Sequence, residues 1–217
     1  MPKAKRLNLD AIEASLRAVQ SDFGRINATL DTPRDPLSDE VLDRLLLGYQ
    51  LIDAYIADGV DLFALGNSPL LLELNIRVLC GHDVALRADC ASQIKATRQH
   101  FYAKTDGGVE SFVNWVKGLN GTPVKRRAAS AYIHILSQPQ LFMEGNHRTG
   151  ALVMSWILAH AGKPPFVLSV HNAKAYFDPS ALVKSSRKRT LRMLLERPKL
   201  VKRFADLLQD EAGRMAL

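Results

Sequence analysis

Gln140-Leu141-Phe142-Met143-Glu144-Gly145-Asn146-His147-Arg148-Thr149-Gly150 is a compact polar turn between two apolar segments. Ala128 to Leu136 runs before it and Ala151 to Ala159 after it. Both flanks read as helix, and the second stops at Gly162 with Pro164 and Pro165 behind it. The turn therefore joins two buried helices, and Gly145-Asn146-His147-Arg148 opens the second. The first amides of a helix have no partner within it, and the positive end of the helix dipole lies there. Such an opening suits a phosphate group. Arg148 in the first turn adds a planar guanidinium that matches phosphate oxygens. Glu144 supplies a carboxylate of the kind that holds a hard cation such as Mg²⁺. Taken singly these residues read as a glycine turn, a surface carboxylate and a solvated arginine; taken together they favour an anion site.

Working outward, Leu9, Ile12, Leu16, Val19, Phe23 and Ile26 recur at spacings of three and four, which predicts an amphipathic helix over 9–28. Asp31 to Pro36 breaks it. Ser38 is a helix cap with Asp39 and Glu40 in the first turn and Leu37 placed to staple against Leu42. That helix ends near Asp58-Gly59, and Leu70 to Cys80 reads as another, ended by Gly81. Val84 to Lys95 fits no single class. Gln99 to Gly108 reads as a short extended piece and a turn, and Val109 to Leu119 as a helix. Phe166 to Val170 is a short β-like run. Asp178-Pro179-Ser180 reads as a helix start with proline at its first position, followed by two basic helices separated near Pro198. The fold class expected is mainly α with one small β-hairpin.

The 217 residues, 47% of them apolar, suit one domain with extensions. Cys80 and Cys90 are too few for a disulfide framework, so a reduced, cytoplasmic setting is the default, with export by a specialised injection system left open. The N-terminus has no apolar stretch of the signal-peptide kind, and no run of 18 apolar residues exists, so no membrane partner is expected. There is no Cys-x-x-Cys, no His-x-x-x-His, no Gly-x-Ser-x-Gly and no Walker lysine loop. The net charge is +7, and much of the excess lies late in the chain, between Lys184 and Arg203. Phe204 is the one aromatic residue there, so a stacking platform for nucleic acid is poorly supported and the stripe reads first as a solvated face or a steering charge.

Phe142, Glu144, Gly145, Asn146 and Arg148 match positions of the motif His-x-Phe-x-(Asp/Glu)-(Gly/Ala)-Asn-(Gly/Lys)-Arg, and on these residues the chain resembles the Fic/Doc (Fido) family. Ala161 to Leu168 and Ala175 to Phe177 are also similar to the segment that follows the motif. The resemblance covers about residues 38 to 180. It implies a Fic-type helical bundle over 37–183, with an N-terminal extension and linker at 1–36 and basic helices at 184–217. It implies transfer of AMP from ATP to a protein Ser, Thr or Tyr hydroxyl, other family members using other nucleotides or phosphorylating. Mg²⁺ would sit on Glu144, and the nucleotide on Gly145, Asn146, His147, Arg148 and Thr149. A hairpin flap at Phe101, Tyr102 and Ala103 would hold the target by strand addition. The partners implied are ATP or another nucleotide and a target protein; a homo-oligomer is left open.

The departures bear on the chemistry. The histidine that takes the hydroxyl proton in the family falls on Gln140, whose amide has no basic nitrogen. The small residue before Arg148 is His147, and the second arginine falls on Ala151. His147 and His134 are the nearby imidazoles; His147 reads first as a phosphate-side donor or a capping side chain rather than a relocated base, and His134 as a satisfied helix histidine. The glutamate-bearing inhibitory helix of many relatives has no match: Ser68 reaches Glu73 one residue too late. A weak transferase and an inactive binding module stand close, with a basic nucleic-acid binder third, so whether the protein is an enzyme stays open.

Overall fold

A computed structural model of the protein describes residues 6–214, with side chains as far as residue 208. Residues 1–5 and 215–217, parts of the expected extension and basic tail, lie outside the described residues. The chain forms α1 (Leu9–Ser21), α2 (Phe23–Asn27), α3 (Asp39–Ala57), α4 (Ser68–Cys80), α5 (Val84–Asp89), α6 (Ala91–Phe101), α7 (Val109–Lys117), α8 (Val124–Leu136), α9 (Asn146–His160), α10 (Ala173–Ser185) and α11 (Leu191–Arg214). The mainly α class expected from the sequence is the class observed. Among the described residues no helix is long and apolar enough to cross a membrane.

The helices form where local signals and burial agree. Asn8 caps α1 by accepting from Ala11 N at 3.0 Å, and Ile12, Leu16, Val19, Phe23 and Ile26 are all buried, as their spacing predicts. Ser38 Oγ accepts from Val41 N at 3.3 Å, starting α3. Gly59 ends that segment with φ +67° and Gly81 ends α4 with φ +71°, conformations that favour glycine. At the centre lies α9, buried along its length from Thr149 to Leu158. It packs on α8, α3 and α4. Gly150 permits the approach to α8: a Cβ there would lie 2.9 Å from the Tyr132 ring. One continuous core runs from Ile12 to Leu208 and draws on the N-terminal helices, the middle of the chain and α11 alike.

Several expectations are corrected. The hairpin at 99–108 is absent, because α6 continues through Phe101 and the described residues contain no strand. The Phe101 ring is fully buried and stacks on Phe142 at 5.3 Å, so a residue offered as a strand edge is a core anchor instead. Tyr102 N and Ala103 N are bonded to Arg98 O and His100 O, which removes them from strand addition. Phe166 to Val170 is not paired in a sheet. Its Phe166 and Leu168 carbonyls accept from Tyr49, Ser155 and Ser15 side chains, which satisfy them as a ladder would. Asp178 and Pro179 lie inside α10 rather than at its start. The helix begins behind Asn172, which accepts from Ser169 N at 2.8 Å, and Asp178 pairs with Lys174 one turn back at 2.6 Å. The two basic helices are one, α11, with Pro198 inside it. Val84 to Lys95, left open by the sequence, divides between α5 and α6.

An isolated parallel bridge, Gln138 to Arg187, straps the turn before α9. Gln138 N donates to Ser186 O at 2.8 Å, Lys188 N donates to Gln138 O at 2.9 Å, and Lys188 Nζ donates to Pro139 O at 2.6 Å. The link between α10 and α11 is thereby fixed beside the motif loop.

Candidate functional site

The loop from Ser137 to Gly145 is held from three sides. Asn146 is 4% exposed and uses its whole side-chain amide on the loop. Its Oδ1 accepts from Phe142 N at 3.0 Å, and its Nδ2 donates to Phe142 O at 2.7 Å and to Gln140 Oε1 at 3.3 Å. From α4, Asn75 Nδ2 donates to Glu144 O and to Thr149 Oγ1, each at 2.9 Å. From α6, Gln93 Nε2 donates to Glu144 Oε2 at 3.0 Å, and seven residues on, His100 Nε2 bonds Gln140 O at 2.9 Å. Gly145 takes φ +71°, and a Cβ there would stand 3.0 Å from Asn75 Nδ2. Both the conformation and the crowding favour glycine at the helix entrance.

The entrance itself is open. The first backbone bond of α9 runs from Thr149 N to Gly145 O at 2.9 Å, and no side chain caps the helix. The amides of Asn146, His147 and Arg148 precede that bond and lie at the positive end of a 15-residue helix. A cavity of about 370 Å³ covers them, lined by Gln140, Met143, Glu144, Gly145, Asn146, His147, Arg148 and Lys184. Larger hollows open beside the strap at Arg187–Thr190 and near Thr32–Asp35, but neither meets the free start of a long helix.

Arg148 Nη1 donates to Val78 O at 2.6 Å, near the carbonyl end of α4. Arg44 Nη1 reaches the next carbonyl, Leu79 O, so two guanidinium groups converge on the negative end of one helix. Burial, and then the Arg44 charge, lower the pKa of Arg148, against the pull of Glu144 and Glu40. Among the described residues neither Arg148 nor Lys184 has a carboxylate within ion-pair distance. A partly buried cation with no carboxylate at ion-pair distance, beside free amides, is an electrostatic reason for an anion to settle here.

The sequence-predicted residues divide on inspection. Gln140, Glu144, Gly145, Asn146, His147 and Arg148 are brought together. Asn146 presents its amide N–H at the helix start, its side chain being occupied. Thr149 is fully buried and faces Asn75, not the cavity. Phe101 anchors the loop from behind, and Tyr102 and Ala103 stand at the turn that follows α6. Gln140 Nε2 donates to Leu136 O at 3.1 Å, so both ends of that side chain hold structure.

The imidazoles are distinguishable. His134 is buried between Phe112 and Trp115, and burial, then Lys188 and Arg197, push its pKa down to about 2. His147 lines the cavity, but burial holds it near 3. Its tautomer follows from its neighbours. Ser180 Oγ donates to Tyr176 O, so it accepts from Tyr132 OH at 2.6 Å, and Tyr132 in turn accepts from His147 Nδ1–H at 3.2 Å. His147 Nε2 is left with its lone pair, buried and unpartnered. His100 differs: Gln140 O only accepts, so Nε2 carries the hydrogen and Nδ1 keeps the lone pair. Sequence reading missed His100, Gln93, Asn75 and Lys184 at this site. Asn75, a lone amide in the apolar run Leu70 to Cys80, was the one with a local signal. Cys80 and Cys90 are unpaired, and burial pushes the Cys80 thiol up to about 12, which makes it an inert core residue.

Comparison of the chain with family models, with curated proteins and with solved structures found no match.

Proposed function

We propose that this protein is a Fic-like nucleotide-binding protein that transfers AMP from ATP to a protein hydroxyl at a low rate. The observation that carries this reading is the cavity over the uncapped start of α9, where Arg148 and Lys184 stand without carboxylate partners. The amides of Asn146, His147 and Arg148 bind phosphate oxygens, and the two cations offset their charge. Glu144 has the donor chemistry for Mg²⁺. The described residues hold no cluster of three or more acidic, histidine or cysteine ligands, but Mg²⁺ bound to phosphates needs only one or two carboxylates. Bound there, the ion neutralises charge on the phosphates. Gln93 holds Glu144 Oε2 and orients the carboxylate.

In the transfer, the hydroxyl oxygen of the target forms a bond to the α-phosphorus. The bond from that phosphorus to the bridging oxygen breaks, and pyrophosphate leaves with the electron pair. The proton has to go to a base that Gln140 does not provide. Water takes it in this reading, and the want of a positioned base is what makes the rate low. His147, which lines the cavity, is a poor acceptor because burial disfavours its cation.

A second reading, nucleotide binding without turnover, is favoured by the Gln140 side chain, which bridges Leu136 O and Asn146. One experiment separates the two. The protein is incubated with ATP labelled on the α-phosphate, Mg²⁺ and a cell lysate, and binding of the same nucleotide is followed by calorimetry. Transfer by the wild type that Arg148→Ala abolishes supports the first reading. Binding with no transfer, and transfer gained in Gln140→His, leaves only the second. No binding of any nucleotide rejects both.

A further inference from the structure

The whole net charge of the protein lies in one stretch. Residues 184–206 carry nine lysines and arginines against Glu196 and Asp206, a net +7, while the remainder of the chain is balanced. The same stretch exposes apolar surface. Leu191, Leu194 and Leu195 are 74%, 59% and 68% exposed. They fall at positions i, i+3 and i+4 of the first turns of α11, so they share one face. The opposite face is anchored in the core by Met193, Leu200 and Phe204, which fixes the outward direction of the leucines. Exposed Arg187 and Arg189 precede this ridge, and exposed Arg192, Lys199 and Arg203 flank it. Arg189 and Arg192 have carboxylate neighbours, Asp106 at 2.7 Å and Glu196 at 3.2 Å; Arg187, Lys199 and Arg203 have none among the described residues.

From this we propose that the start of α11 is a docking surface for an anionic lipid bilayer, on which the protein lies peripherally. The expectation of no membrane partner rested on the lack of a spanning segment, and surface binding needs none. A basic helix that presents leucines sinks its apolar side into the headgroup boundary while its lysines and arginines meet the lipid charge. A second copy of the chain is disfavoured, because pairing this face would oppose two sets of cations. Nucleic acid is disfavoured because the outward groups are leucines, and the one aromatic of the stretch, Phe204, is buried. A protein groove is the weaker match: binding hot spots favour tryptophan and tyrosine over leucine, and the exposed face has no aromatic residue.

The test is sedimentation of the full chain with vesicles of phosphatidylcholine alone or with about a third phosphatidylserine. Binding is expected only to the anionic vesicles, and it should weaken as salt rises. Replacing Leu194 and Leu195 together by glutamine should lower partitioning by about tenfold or more with the helical circular dichroism unchanged. Two binding results overturn the proposal. In one, the chain ignores anionic vesicles; in the other, it binds them equally with both leucines replaced, which would reduce the effect to charge alone. Concentration-dependent dimerisation that the same double substitution abolishes would also overturn it, in favour of a second copy.

Discussion

Arg148 and Asn146 stand two residues apart, and their roles separate by what their side chains touch. Asn146 holds the loop, so its replacement would disorder the site and say little about binding. Arg148 touches only Val78 O on the protein side, which leaves donors for a ligand. Arg148→Ala should therefore weaken binding of Mg²⁺–ATP by about tenfold to a hundredfold, the range of a lost charge-assisted hydrogen bond, with calorimetry as the readout. Arg148→Lys should recover only part, because a point charge replaces a planar fork. His100 is tested by the bond it makes. His100→Ala, which leaves Gln140 O without that donor, should cost about 0.5–1.5 kcal/mol in urea unfolding, and His100→Gln should recover part of the loss. No loss in His100→Ala would mean that this bond does not hold the loop. The motif residues were legible because they are contiguous. His100 and Gln93 were not: they lie 40 and 51 residues from the groups they touch, and no local pattern encodes that meeting.

At the scale of elements, α6 shows how a distant contact decides local form. Gln99-His100-Phe101-Tyr102 carries aromatic residues that suit a strand, and the sequence read it as extended. The Phe101 ring instead closes on Phe142, nearly parallel at 5°, and helical backbone is what turns Phe101 inward while His100 and Gln93 reach the loop. The same kind of reason explains α11. Pro198 removes one helix bond, to the carbonyl of Leu194, but both residues are exposed, so water can satisfy that carbonyl and the helix continues. Helices with a strong stripe and a capping residue, such as α1 and α3, were legible because each signal is local. If the stacked rings anchor the motif loop, Phe101→Ala should cost about 3–5 kcal/mol in urea unfolding. Tyr102→Ala, at a half-exposed neighbouring position, should cost far less. Equal losses at the two positions would contradict an anchoring role for Phe101.

For the molecule as a whole, the buried imidazoles set a direction for acid stability. His134 and His147 have ordinary pKa values near 6.5 in the unfolded chain and about 2 and 3 in the fold, in each case chiefly because burial disfavours the cation. A folded pKa below the unfolded one means that, between the two values, the unfolded chain binds the extra proton. Stability is then unaffected by these groups above about pH 6.5 and falls as the pH drops through the window below it. The slope approaches about 1.4 kcal/mol per pH unit for each histidine, or about 2.7 for the pair. Over two pH units the loss rivals the total stability of an ordinary domain, so unfolding should set in while exposed carboxylates are still ionised. Urea titrations at successive pH values from 7 to 4.5 test this. His134→Leu removes one of the two groups and keeps an apolar side chain between Phe112 and Trp115, so it should roughly halve the slope whatever it does to the stability at pH 7. A slope that stays the same in that variant would contradict the assignment to His134; the carboxylates Asp53 and Asp178, whose pKa values lie below the usual 3.8 because their hydrogen-bonded partners outweigh the cost of burial, add their loss only below about pH 4, outside this window.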